Sequence, residues 1–133
     1  MANEQGSLLC GIDCIRLRID DLEEGLAFYR DKLGQQLVWR TATAAGLKMP
    51  EADTEIVLYT AGPGETLDIK VSSANGAAEA WTRAGGTTAV GPFDIAIGRC
   101  VVVRDPWGNE LVLLDDSKGR LSTDSEGNVV GVE

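Results

Sequence analysis

From Ile12 to Ile19 apolar and polar residues alternate: Ile15, Leu17 and Ile19 fall on one side, Cys14, Arg16 and Arg18 on the other. Side chains alternate across a strand, so this pattern predicts a strand with one packed face. Asp20 or Asp21 then stands where a helix cap belongs. Leu22, Leu26, Tyr29 and Leu33 follow at helical spacing with Phe28 beside them, and Gly34 ends the run. Leu37 to Thr43 and Leu47 to Met49 read as strands, the second running into a loop at Pro50, and Glu55 to Thr60 is rich in strand formers. Ala61 to Glu65, AGPGE, is the clearest internal linker.

The order then restarts. Leu67, Ile69 and Val71 alternate with Thr66, Asp68 and Lys70. Asn75 to Ala84 is an alanine-rich helix carrying Trp81 and closed by Gly85-Gly86. Thr87 to Val90, Arg99 to Arg104 and Glu110 to Leu114 are strands, the last two joined by the turn Asp105-Pro106-Trp107-Gly108-Asn109. Each half is thus βαβββ, and Cys14 and Thr66, at equivalent positions, lie 52 residues apart. That restart marks an internal structural repeat. The chain reads as a single domain, with module one at about 12–60, module two at about 66–115 and a polar tail at 116–133, where Glu126-Gly127-Asn128 forms a turn before Val129-Val130. Leu17, Ile19, Leu26, Phe28, Leu67, Ile69, Trp81, Leu111 and Leu113 are expected in the packed interior.

Composition narrows the function classes. A formal net charge of −9 argues against nucleic acid, which is bound by basic patches. No apolar run approaches the ~18 residues of a membrane span, and MANEQGSLLC has no signal-peptide pattern. Cys10, Cys14 and Cys100 are odd in number and lack metal-type spacing, which fits reduced thiols in a cytoplasmic protein. With no histidine in the chain, no Ser-His or Cys-His pair can form. Neither a phosphate-cradling glycine loop nor a dinucleotide fingerprint is present, and no cofactor is expected.

Three stretches carry a family resemblance: DLEEGLAFYRDKLG after the first strand, Ala77 through Gly91-Pro92-Phe93, and DPWGNELVLLD. Together they resemble the vicinal oxygen chelate superfamily, which includes glyoxalase I, bleomycin-resistance proteins and extradiol dioxygenases. The resemblance implies an α+β fold, in which two βαβββ modules form a curved, incompletely closed mixed β-barrel, or cup, with helices outside. In metal-using members four cavity-facing positions supply ligands, and these correspond here to Cys14, Val57, Thr66 and Val112. Two valines cannot ligate, threonine is a poor ligand and one thiol cannot hold a site alone, so no metal is expected.

What remains is the polar face of each first strand: Cys14, Arg16 and Arg18 in module one, Thr66, Asp68 and Lys70 in module two. With Val57 and Val112 these are expected to line one concavity. The resemblance implies that Arg18 holds an anionic group of the ligand, as arginine's planar fork suits a carboxylate or phosphate. The alternative is that Arg16 or Arg18 pairs with Asp68 or snorkels to the rim. Trp39, on a strand bordering the cavity, could stack on a flat ligand, and Trp107 sits in an exposed turn. Candidate catalytic groups are Asp68 as base, Tyr59 as acid and Cys14 as thiolate. The expected function is therefore metal-independent binding of a small organic ligand, in the manner of bleomycin-resistance proteins, by a homodimer. A metal-free lyase or isomerase is the alternative.

Overall fold

A computed structural model describes residues 6–62 and 65–133. The first five residues of the N-terminal segment, and Pro63 and Gly64 of the AGPGE linker, lie outside the described residues. The chain forms two compact units, one of Asp13–Thr66 with Leu121–Gly131, the other built mainly on Leu67–Arg120.

The first unit contains β1 (Gly11–Arg18), α1 (Leu22–Leu26), β2 (Gln36–Arg40), β3 (Ala44–Lys48) and β4 (Glu55–Tyr59). Its strand order is β2-β3-β4-β1, with β1 and β4 parallel and the other pairs antiparallel. Asp21 caps α1, its carboxylate accepting from Glu24 N at 2.9 Å. One face of the sheet packs against this helix: Leu47 and Leu58 are fully buried with Leu22 and Leu26, while Leu17, Ile19, Tyr29, Leu37 and Ile56 close the cluster.

The helix does not run regularly to Leu33. After Leu26 it widens into a π-helical segment, Ala27–Lys32, in which Leu33 N bonds back to Phe28 O. The extra residue per turn rotates the face. Tyr29 stays against the core, whereas Leu33, which the regular periodicity places inside, is exposed; Phe28, also expected in the interior, lies off the Leu22-Leu26-Tyr29 stripe and is exposed too. Phe28 meets the edge of Tyr29, with ring centroids 5.1 Å apart.

The second unit repeats the plan with β5 (Thr66–Lys70), α2 (Ala74–Arg83), β6 (Thr87–Ile95), β7 (Gly98–Arg104) and β8 (Glu110–Leu114). β5 pairs parallel with β8, followed by β7 and β6. The parallel pair Asp68–Val112 stands where Arg16–Val57 stands in the first unit, the first strands 52 residues apart and the last strands 55. Ser73 caps α2, and Ala74, Ala77, Ala78 and Trp81 form its inner stripe over Ile69, Val101, Val103 and Leu113. The Trp81 indole donates to Arg104 O at 2.8 Å. Of the expected interior residues, Leu26, Ile69 and Leu113 are buried, and Leu17, Ile19, Leu67, Trp81 and Leu111 are partly so. β6 runs five residues past the expected end at Val90, through two irregularities in its pairing with β7.

The tail is not structureless. Leu121–Thr123 and Val129–Val132 form a hairpin, β9-β10. Its turn, Asp124 to Asn128, copies the turn Asp105 to Asn109: in each, one aspartate accepts from the backbone N–H two and four residues on and from the asparagine side chain. The hairpin docks on β2, where Arg40 N donates to Gly127 O at 2.8 Å. It thereby covers an otherwise open strand edge. Among the described residues no helix is long and apolar enough to cross a membrane.

Candidate functional site

In the first unit the sheet face opposite α1 carries Cys14, Arg16 and Arg18 from β1, and beside them Glu55, Val57 and Tyr59 from β4. Alternation alone brings these six together. Cys14, Val57 and Tyr59 are buried, Arg16 is half-buried and Arg18 exposed.

The two arginines differ. Arg18 donates from Nε to Thr60 O at 3.3 Å and from Nη1 to Gly62 O at 3.2 Å, holding the chain as it leaves β4. Arg16 lies over the ring of Tyr59, its guanidinium carbon 4.3 Å from the centroid. Its Nε is buried and has no hydrogen-bond acceptor. Buried donors are almost always paired, so this nitrogen marks the place where the face lacks an acceptor.

Trp39 reaches the same face by a route that alternation does not show. Leu37 pairs with Leu47 and Trp39 with Gly46, so Val38 is an extra residue bulged out of β2. Without it Trp39 would pair with Ala45 and point into the core. The bulge turns it to the opposite side. There the indole lies over Gly46, and Nε1 donates to Glu55 Oε1 at 2.9 Å. A Cβ on Gly46 would clash with Nε1, Cε2 and Cδ1 of the indole. Gly46→Ala is therefore expected to displace Trp39, lower stability by about 1–3 kcal/mol as overpacking does, and shift the tryptophan emission. Unchanged melting and emission would refute this placement.

In the second unit Asp68 and Val112 are register partners, and Lys70 pairs with Leu114, on the face away from α2. Asp68 is buried and Lys70 exposed. Thr66 opens β5. Trp107 is 83% exposed in its turn.

The four positions that the resemblance assigns to metal ligands hold a buried thiol, two valines and a threonine. Among the described residues no three His, Cys, Asp or Glu side chains are grouped as a metal site would need. This donor set does not fit a divalent transition metal. The residues that sequence reasoning missed are Glu55, whose carboxylate holds Trp39, and Gly46, which gives the indole its seat. A glycine inside a strand was the available signal, since it often marks a close approach.

Residues 11–113 match a family model described as the Glyoxalase/Bleomycin resistance protein/Dioxygenase superfamily. No curated protein matches the chain. Among solved structures, methylmalonyl-CoA epimerase from Mycobacterium tuberculosis is similar, with a TM-score of 0.69 at 22% identity over 82% of this chain and 89% of that one. An NAD-dependent benzaldehyde dehydrogenase structure from Legionella pneumophila gives 0.65 at 17% identity, over 77% of this chain and 96% of that one. Homoprotocatechuate 2,3-dioxygenase from Brevibacterium fuscum gives 0.60 at 24% identity, over 81% of this chain but 37% of the dioxygenase. Such identities establish a shared fold.

Proposed function

Because the chain belongs to the Glyoxalase/Bleomycin resistance protein/Dioxygenase superfamily, we propose that it binds a small organic anion without a metal, the anionic group seated on Arg16. One observation carries this reading: a half-buried guanidinium over Tyr59 whose buried Nε has no acceptor. A carboxylate or phosphate would supply that acceptor and offset the cost of the buried charge. Arg18, two of whose donors already serve backbone carbonyls, frames the site. The metal-independent part of the reading rests on the two valines at ligand positions.

The test is a thermal-shift screen of small carboxylates and phosphates on the purified chain. A ligand at about 100 times its Kd stabilises a protein by about 2.7 kcal/mol, a readily measured shift in melting temperature. Arg16→Ala is expected to abolish the shift, and Arg120→Ala, an exposed arginine, to leave it intact. Equal shifts in wild type and Arg16→Ala would overturn the assignment. Elemental analysis is expected to find no stoichiometric transition metal, and one zinc, nickel, iron or manganese per chain would overturn the metal-free reading.

The protein is further proposed to be a cytoplasmic homodimer that binds neither nucleic acid nor membrane, as its acidic charge and reduced thiols suit. A 14.1 kDa particle in light scattering would refute the dimer. A metal-free lyase or isomerase is the second reading, favoured by Cys14 and Tyr59 lying on the face of Arg16, with Asp68 the candidate base in module two. Turnover lost in Cys14→Ser, Tyr59→Phe or Asp68→Asn would establish it.

A further inference from the structure

Trp39, Gly46, Val57 and Arg16 form one row across β2, β3, β4 and β1. From this row we infer that the ligand is a planar aromatic carboxylate, its ring against the indole of Trp39 and its carboxylate on Arg16. The inference rests on the anion-binding reading above and adds the class of its apolar part.

Three features of module one place the indole. The Val38 bulge turns Trp39 away from the core, Gly46 leaves room beneath it, and Glu55 fixes its rotation through Nε1. None of these serves the core. Trp39 is absent from the cluster packed against α1, whereas Trp81, which also lies over a glycine, packs on the core of its own unit. The indole is half-buried; with Gly46 beneath it and its Nε1 edge bonded to Glu55, its outer face is the one left for stacking.

Distances along the row set the ligand's size. Strands lie about 4.8 Å apart, so Gly46, under the indole, is about 10 Å from the backbone of Arg16. Trp39 leans toward β4 to reach Glu55, and Arg16 toward β4 to cover Tyr59. Glu55 and Tyr59 stand two residues to either side of Val57 on β4, so the indole and the guanidinium flank Val57, an apolar floor between them. The remaining interval suits one or two fused rings carrying a carboxylate. Glu55 acts as a positioning residue, keeping the indole plane in place.

The experiment measures binding of 2-naphthoate, cyclohexanecarboxylate and 2-naphthamide to the purified full chain, by calorimetry and tryptophan fluorescence. 2-Naphthoate is expected to bind at least tenfold tighter than either comparator. Trp39→Leu should weaken 2-naphthoate about tenfold and leave cyclohexanecarboxylate unchanged, whereas Arg16→Ala should weaken both. Glu55→Ala should reduce the preference for 2-naphthoate over cyclohexanecarboxylate, a ratio that a general loss of stability would not move. If Trp39→Leu fails to fold, the wild-type preference and Trp39→Phe, expected to retain it, decide the matter. Equal affinity for 2-naphthoate and cyclohexanecarboxylate, both lost in Arg16→Ala, would overturn the aromatic class and leave the anion site standing. Binding of 2-naphthamide as tight as 2-naphthoate, or no binding of either carboxylate, would overturn both.

Discussion

Replacing Asp115 with alanine is expected to cost about 3 kcal/mol of stability, because three backbone donors lose their acceptor at once. The carboxylate is 5% exposed. It accepts from Ala74 N at 2.7 Å, Arg99 N at 2.9 Å, Ser117 N at 3.2 Å and the Ser117 hydroxyl at 2.7 Å. It thus ties the first turn of α2 to the start of β7 and the chain beyond β8, and its charge sits favourably at a helix N-terminus. Burial pushes its pKa up, but the bonds from Ala74, Ser117 and Arg99 prevail and hold the group below the ordinary carboxylate range. A carboxyl whose pKa is lower folded than unfolded stabilises above its unfolded value, ~3.9, and loses that contribution as pH falls through the folded value. Urea unfolding should therefore show the deficit of Asp115→Ala at pH 7 and a smaller one well below pH ~4. Asp94, held low by Lys118 and Arg99, and Asp105 and Asp124, held low by their turns, add to acid lability of the same sign. A pH-independent deficit would refute the charge argument, and an unchanged urea midpoint the structural one.

Leu58→Ala should cost a similar amount or more, about 2–5 kcal/mol, as deletion of a fully enclosed leucine does. Leu58 has no exposed surface and lies among Leu26, Leu47 and Ala45 between sheet and helix. Ile15 has the same parity on β1 but is 41% exposed, so Ile15→Ala should cost less than ~1 kcal/mol. Chemical denaturation of the two variants separates the enclosed part of this face from its open end. Equal costs would mean that the helix covers the sheet differently.

Much of this arrangement was legible in the residue pattern. Period-two alternation at Cys14–Ile19 and Thr66–Val71 defines both first strands and says which side chains share a face. The 52-residue restart predicts a repeat, and the register pairs Arg16–Val57 and Asp68–Val112 confirm it. The DPWGN turn marks the β7-β8 hairpin, and its aspartate makes the bonds that such a turn requires.

Other features needed the fold. Leu33 has the spacing of a core residue, but the π-helical segment before it rotates it outward, because an added residue in the turn shifts the side chain that follows around the helix axis. The tail reads as polar, yet its hairpin covers β2 through backbone groups that every residue carries, so no side-chain pattern announces the contact. Arg16 and Arg18 are indistinguishable in sequence. Only packing decides that one meets backbone carbonyls while the other keeps an unmet buried donor over Tyr59. Trp39 is the sharpest case. Its parity with Leu37 points to the core, and a single bulged residue reverses it. Sequence by itself determined what is periodic: the elements, the repeat and the polar face of β1. Tertiary structure decided what breaks the period, because a bulge or a π turn is set by what the neighbouring strands and helix will accommodate.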